Sequence, residues 1–171
     1  MDTWDAITSR RNVRQFQDRP LSDEDRDRIL EAGRRAPSSR NWQPWDFIAV
    51  TDRDALRQLS RVWPAGGHVA GSAMTVVVVL PVLSGSDERD WANFDAGQAG
   101  LQMMIAAADR GIGSGHSAVG DQDLARKLLG FPEDRYGRIM IDFGYPADRP
   151  LRPIQRPNRR PFEDVVHRGR W

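Results

Sequence analysis

Residues 74–80 read Met-Thr-Val-Val-Val-Val-Leu, an apolar run in which Thr75 is the one polar member. Successive β-branched residues favour an extended backbone, and a strand that is apolar at consecutive positions has no face to give to water. The chain must therefore cover this strand on both sides, which calls for helices above and below and puts the strand in the interior of its sheet. The run is far shorter than the roughly 20 residues that span a bilayer, so it reads as core and not as a membrane segment.

Around it the pattern alternates helix and strand. Asp2 or Thr3 can cap a helix running to about Arg11 with Trp4 and Ile7 facing inward. Ser22, with Asp25 three residues later, approximates a capping box; the helix it opens places Ile29, Leu30, Gly33 and Ala36 on one side and stops at Pro37. A strand is expected over 46–51, then a helix from about Asp54 carrying Leu56, Leu59 and Val62. Residues 91–109 are apolar almost all round, which predicts a core helix, with Ala96, Gly97, Ala99 and Gly100 allowing close packing. A glycine-rich stretch over 111–120, a short helix over 121–129 and a last strand over 138–143 complete an α+β fold on one central mixed sheet flanked by helices.

The 171 residues suit one domain spanning 1–171. With no cysteine, a disulfide scaffold, a thiol nucleophile, a thiolate zinc site and an iron–sulfur cluster on protein thiolates are excluded, so redox chemistry would have to come from a bound cofactor. The first residues show no basic region followed by an apolar stretch, so export and membrane insertion are not indicated and a cytoplasmic location is expected. Lys127 is the only lysine, and charge is uneven. Residues 149–171 hold seven arginines against Glu163 and Asp164 in a chain whose total is +1. Four prolines break this extended tail, so a local anion site fits it better than a nucleic-acid stripe, and no nucleic-acid partner is expected.

Arg10, Arg11 and Arg14 sit at the end of the first expected helix, where the dipole alone would accept solvated arginines. A second cluster, Arg156, Arg159 and Arg160, raises the possibility of two guanidinium sets converging on one phosphate. The loop 37–45, Pro-Ser-Ser-Arg-Asn-Trp-Gln-Pro-Trp, is dense in hydrogen-bonding groups yet carries two indoles, which favours a buried polar loop against a flat heteroaromatic ring. Gly113, Ser114 and Gly115 let backbone N–H groups approach a ligand closely, though no dinucleotide or phosphate-loop fingerprint is present. His68, His116 and His167 stand alone at no metal-ligand spacing, so no metal site is expected.

Four blocks together carry a resemblance: Ser9 to Phe16, Ala36 to Trp45, Ala108 to Ser114, and Gly144-Tyr145-Pro146 followed by Arg159 to His167. In order and across nearly the whole chain, they are similar to the FMN-dependent nitroreductase family. The resemblance implies a homodimer with exchanged termini and FMN at the subunit interface. It further implies that Arg10, Arg11, Asn12 and Arg14 hold the phosphate, ribityl and pyrimidine side of FMN, with Arg159 and Arg160 closing on the phosphate. Ser38, Ser39, Asn41 and Gln43 would line the flavin, Ser38 and Ser39 from the partner subunit, while Gly113, Ser114 and Gly115 pass its reactive edge. The implied activity is hydride transfer from NADH or NADPH and two-electron reduction of a small-molecule acceptor, a nitroaromatic or quinone, in a ping-pong cycle. A flavin carrier or sensor without turnover, a reductive dehalogenase and an ene reductase are the alternatives.

The chain departs from the family pattern in three places. Asn12 replaces the usual Ser, Gly115-His116 follows Ser114 where many members have Cys or Thr and then Trp, and the segment 64–72 lacks the Asn and Lys that some members place beside the flavin.

Overall fold

The computed structural model describes all 171 residues. The valine run lies in β2 (Met74–Pro81), between β1 (Asp46–Val50) and β4 (Arg135–Gly144), with β3 (Gly113–Ala118) beyond β4 at the far edge. Val76, Val77, Val78 and Val79 are each at most 1% exposed. Val76, Val78 and Leu80 face one cluster with Ile29, Met103 and Phe143, while Val77 and Val79 face a second with Leu56, Leu59 and Met140. Withdrawing each such side chain from water stabilises the fold by about 1.5–3 kcal/mol, which makes this two-sided burial the centre of the structure.

All three strand pairings are antiparallel, so the sheet is not mixed in its ladders. β2 and β3 do run in the same direction across the crossover helix between them. β4 inserts between the two and pairs antiparallel with both, leaving one isolated parallel bridge, Asn12 to Ser114.

Helix α1 (Thr3–Ser9) is capped by Asp2, whose carboxylate accepts from Asp5 N at 2.7 Å. It buries Ala6 and Ser9, and not Trp4 and Ile7 as expected; Trp4 is 71% exposed. Two turns of helix hold too few residues for periodicity to choose the face, and the small side chains win the contact with the long helix α4. Ser22 caps α2 (Asp23–Arg34), which lies along α4 with Gly33 against Met103. Helix α3 (Arg53–Leu59) passes into a 3₁₀ turn at Ser60–Val62, and a second 3₁₀ turn over Gly67–Gly71 leads into β2. Gly130 in the left-handed conformation ends α5 (Gln122–Leu129).

Helix α4 (Ser86–Asp109) begins five residues before the apolar segment, where Asp87 and Glu88 complement the first-turn dipole. It is a core helix on one side only. Ala92, Ala96, Ala99 and Met103 are buried, whereas Trp91, Phe94 and Leu101 are exposed, with Gln98 and Ile105 between them partly so. The glycine-rich stretch after α4 forms the edge strand β3. No helix is long and apolar enough to cross a membrane.

Candidate functional site

The segment carrying Arg10, Arg11, Asn12 and Arg14 leaves α1 in extended conformation and runs along the outer edge of β3. Val13 N donates to Ser114 O at 2.8 Å, and Gln17 N and Ala147 N then tie the segment to residues 145–147. The approach requires glycine on β3. A Cβ at Gly113 would meet Val13 Cγ2 at 2.5 Å, and one at Gly115 would meet Val13 O at 2.6 Å. The arginines and the glycine stretch therefore form one unit, in which main-chain proximity is set by the missing side chains.

Within that unit the arginines differ. Arg11 is already engaged: its Nη2 lies 2.7 Å from Asp148 Oδ1 and 2.9 Å from Arg149 O, and the guanidinium holds the Asp148 carboxyl below its ordinary range. Arg10 and Arg14 form no ion pair within the chain, so their charge is available to an anion. The tail reaches this region through different residues from those expected. Arg149 and Arg152, with Arg11, line a cavity of about 480 Å³. Arg159 and Arg160 bond only within the tail, to Asn158 O and Asp164 O, and lie exposed. Within one chain the two expected arginine clusters are not brought together.

The loop bearing Ser38, Ser39, Asn41 and Gln43 is on the surface, contrary to the expectation of a buried polar loop. Asn41, Trp42 and Gln43 are exposed, and only Pro44 and Trp45 turn inward, Trp45 stacking on Phe47. The loop is nonetheless held firmly. Ser38 Oγ accepts from Gln43 N at 2.9 Å, Gln43 Nε2 donates to Asn41 O at 3.0 Å, and Ser39 N donates to Asp95 Oδ2 at 2.9 Å. Arg40, Asn41 and Gln43 have φ of 51°, 58° and 53°, left-handed conformations that residues other than glycine adopt at a cost on the order of 1–3 kcal/mol each. The loop is thus fixed in strained geometry on the surface of the chain.

Asp95, buried on α4 and also bonded by Gln98 Nε2 at 3.2 Å, anchors this loop and was not singled out in the sequence. It also measures how far apart the two halves of the site lie. The arginine segment meets α4 where Val13 packs with Ala108, thirteen residues beyond Asp95. At 1.5 Å per residue that is about 20 Å, wider than a tricyclic ring. Between the two halves, Gly97, Gly100, Met104, His116, Arg138 and Ile141 line a groove of about 170 Å³.

Behind Gly115 lies a polar cluster that sequence reading left as isolated residues. His68 Nδ1 lies 2.5 Å from Asp142 Oδ2, an ion-pair contact without hydrogen-bond geometry, and neither atom has a hydrogen-bond partner. Asp142 Oδ1 accepts from Thr75 Oγ1 at 3.1 Å, and Thr75 contacts Ser72 Oγ at 2.9 Å. The available signal was a polar residue inside the apolar run of each of two strands, Thr75 in 74–80 and Asp142 in 139–143, and these two are register partners.

Comparison with known proteins agrees with this architecture. The family model described as the nitroreductase family matches residues 7–65 and 63–145. A protein of Archaeoglobus fulgidus, provisionally named NADH dehydrogenase/NAD(P)H nitroreductase, is 34% identical over 170 residues, covering 96% of each chain. A crystal structure of a Parabacteroides distasonis protein with the same provisional name is 29% identical, covers 97% of this chain and 96% of its own, and superposes with a TM-score of 0.81. An FMN-dependent nitroreductase of Clostridium difficile shares the fold at 22% identity, with a TM-score of 0.84 over 97% of this chain and 98% of its own. The extended arginine segment on a glycine-rich edge strand, the strained serine–asparagine loop and the family match lead to one conclusion: the chain belongs to the nitroreductase family.

Proposed function

We propose that the chain is half of a homodimeric FMN-dependent NAD(P)H oxidoreductase that reduces a nitroaromatic, quinone or related small acceptor. The observation that carries this reading is the division of one site between Asp95 in the middle of α4 and Ala108 at its end, about 20 Å apart, with Phe94 and Leu101 exposed along the same helix. A twofold axis crossing α4 near Leu101 lays residue 95 of one chain beside residue 108 of the other. That arrangement buries Phe94 and Leu101 and sets the strained loop of each chain opposite the partner's arginine segment.

The donor set fits FMN. Free guanidinium groups at Arg10 and Arg14 suit a phosphate and the anionic side of a pyrimidine, Asn12 suits ribityl hydroxyls, and Ser38, Ser39, Asn41 and Gln43 suit the polar edge of a flat ring. Gly113 and Gly115 let the segment at Val13, and with it Arg10, Asn12 and Arg14, lie directly against β3. In an exchanged arrangement Arg159 and Arg160 are free to close on the phosphate, because the tail is extended beyond Leu151. Bound FMN supplies the two-electron chemistry; the chain's own task is to hold the ring, exclude water from one face and place Arg14 where negative charge gathers on reduction.

The test is anaerobic. NAD(P)H alone should bleach the yellow protein, a quinone or nitroaromatic added afterwards should restore the colour, and double-reciprocal plots at several acceptor concentrations should be parallel. Intersecting lines, or bleaching that requires acceptor, would contradict a single shared cleft. A protein that carries flavin without steady-state NAD(P)H oxidation would be a carrier.

A further inference from the structure

The His68–Asp142 cluster is unused by the reading above, yet three of its features are those of a proton-exchanging site. First, it is buried and coupled: the Asp142 side chain is fully buried, that of His68 is 6% exposed, and Nδ1 and Oδ2 are 2.5 Å apart. A carboxylate taken out of water to this extent requires a compensating proton or cation nearby. Second, its other contacts leave the imidazole as the only group that can supply one. Asp142 Oδ1 has a hydroxyl, Thr75, and the chain of hydroxyls ends at Val69 O through Ser72.

Among the surrounding elements, the segment at Val13, whose carbonyl also faces Gly115, carries the unpaired Arg14. On β3 the residues facing the pair are Gly115 and Ser117, and on β2 they are Thr75 and Val77. Arg53 of α3 donates to Ser72 O at 2.8 Å while pairing with Asp18, Asp54 and Arg57 pair with one another at the surface, and Arg61 in the following turn is exposed. Third, the pair sits directly behind Gly115. A Cβ there would lie 3.4 Å from Asp142 Oδ2 and 3.7 Å from His68 Cε1, so no side chain separates the pair from the backbone of β3. Nδ1 lies beside Asp142 Oδ2 without a hydrogen bond to it.

We infer that His68, held by Asp142, takes up one proton at the imidazole when the neighbouring flavin is reduced and releases it on reoxidation. This rests on the reading that Gly113–Gly115 border FMN. The bookkeeping closes. A nicotinamide delivers a hydride, which is two electrons and one proton, whereas a quinone becomes a quinol by accepting two electrons and two protons. On reduction one proton passes from solvent to His68 and on reoxidation it returns to solvent, while the quinone takes its second proton from solvent, so NAD(P)H, quinone and one proton yield NAD(P)⁺ and quinol. His68 is a positioning residue for charge, since it acts across the β3 backbone and not by contact.

The experiment measures the two-electron potential of the flavin-loaded protein against pH, together with proton uptake on photoreduction in weakly buffered solution. One proton per two electrons corresponds to about 30 mV per pH unit for a two-electron couple. The unsubstituted protein should show twice that slope across part of the neutral range and take up two protons per flavin. His68→Gln and Asp142→Asn should fall to the single slope and to one proton. The measurement on the unsubstituted protein needs no variant to fold: a single slope and one proton there overturn the inference, as do equal slopes in His68→Gln. Failure to bind FMN at all would overturn the functional reading along with this one, whereas a loaded protein with unchanged proton count overturns this one alone.

Discussion

Arg14 and Asp25 are charged side chains under opposite demands. Arg14 extends from the segment on β3 without a carboxylate partner, so its charge is unspent and can favour the extra electron density of a reduced ring. Arg14→Ala should lower the two-electron potential by more than about 30 mV, on the order of 1.4 kcal/mol, while FMN still binds; an unchanged potential would limit Arg14 to phosphate or ribityl. Asp25 is spent on structure. Its Oδ1 accepts from Arg110 Nε at 2.7 Å and its Oδ2 from Ser22 Oγ at 2.8 Å, locking the start of α2 to the end of α4. Burial alone would raise its carboxyl, but the bonds from Arg110 and Ser22 outweigh it and hold the group below its ordinary 3.8. The stability it contributes is therefore present above about pH 4 and lost as pH falls further. Asp25→Asn should lower Tm at neutral pH by about 2–4 °C, on the order of 1 kcal/mol, and flatten the acid limb of Tm against pH; an unaltered acid limb would contradict this role. Neither Asp25's link to Arg110 nor Asp142's to His68 was legible in the sequence, because partners 85 and 74 residues distant leave no periodic trace.

Among the elements, those with a long pattern were readable and those without were not. Four valines announced β2, and Ser22 announced the start of α2, because two-sided burial and capping are written in neighbouring residues. α1 was misoriented because seven residues make two turns, and the loop 37–45 was expected to be buried because its two indoles implied a cover. On the proposed reading that cover is the partner chain. The same holds for α4, whose composition matched a core helix although Phe94 is 61% and Leu101 46% exposed. On the proposed reading these residues form a second core between chains. Leu101→Asp would set two carboxylates against each other near the axis. The dimer should weaken by tenfold or more, about 1.4 kcal/mol, and flavin should be lost in step with dissociation. A stable dimer that keeps its flavin would move the interface elsewhere.

For the whole molecule, the proposed function requires each FMN to be held by two chains, by Arg10 and Arg14 of one and by Ser39 and Asn41 of the other. The arrangement makes folding, assembly and cofactor binding mutually dependent, since binding that requires the dimer also stabilises it. Mixed dimers test this directly. One chain carries Arg10→Ala and Arg14→Ala, the other Ser39→Ala and Asn41→Ala, each with its own affinity tag, and flavin content is measured on dimers purified through both tags. Either homodimer has two damaged sites and should hold FMN weakly. The mixed dimer concentrates all the damage in one site and leaves the other intact, so it should hold one tightly bound FMN per two chains. Mixed dimers that bind as weakly as the homodimers would place both halves of the site in a single chain and contradict the account.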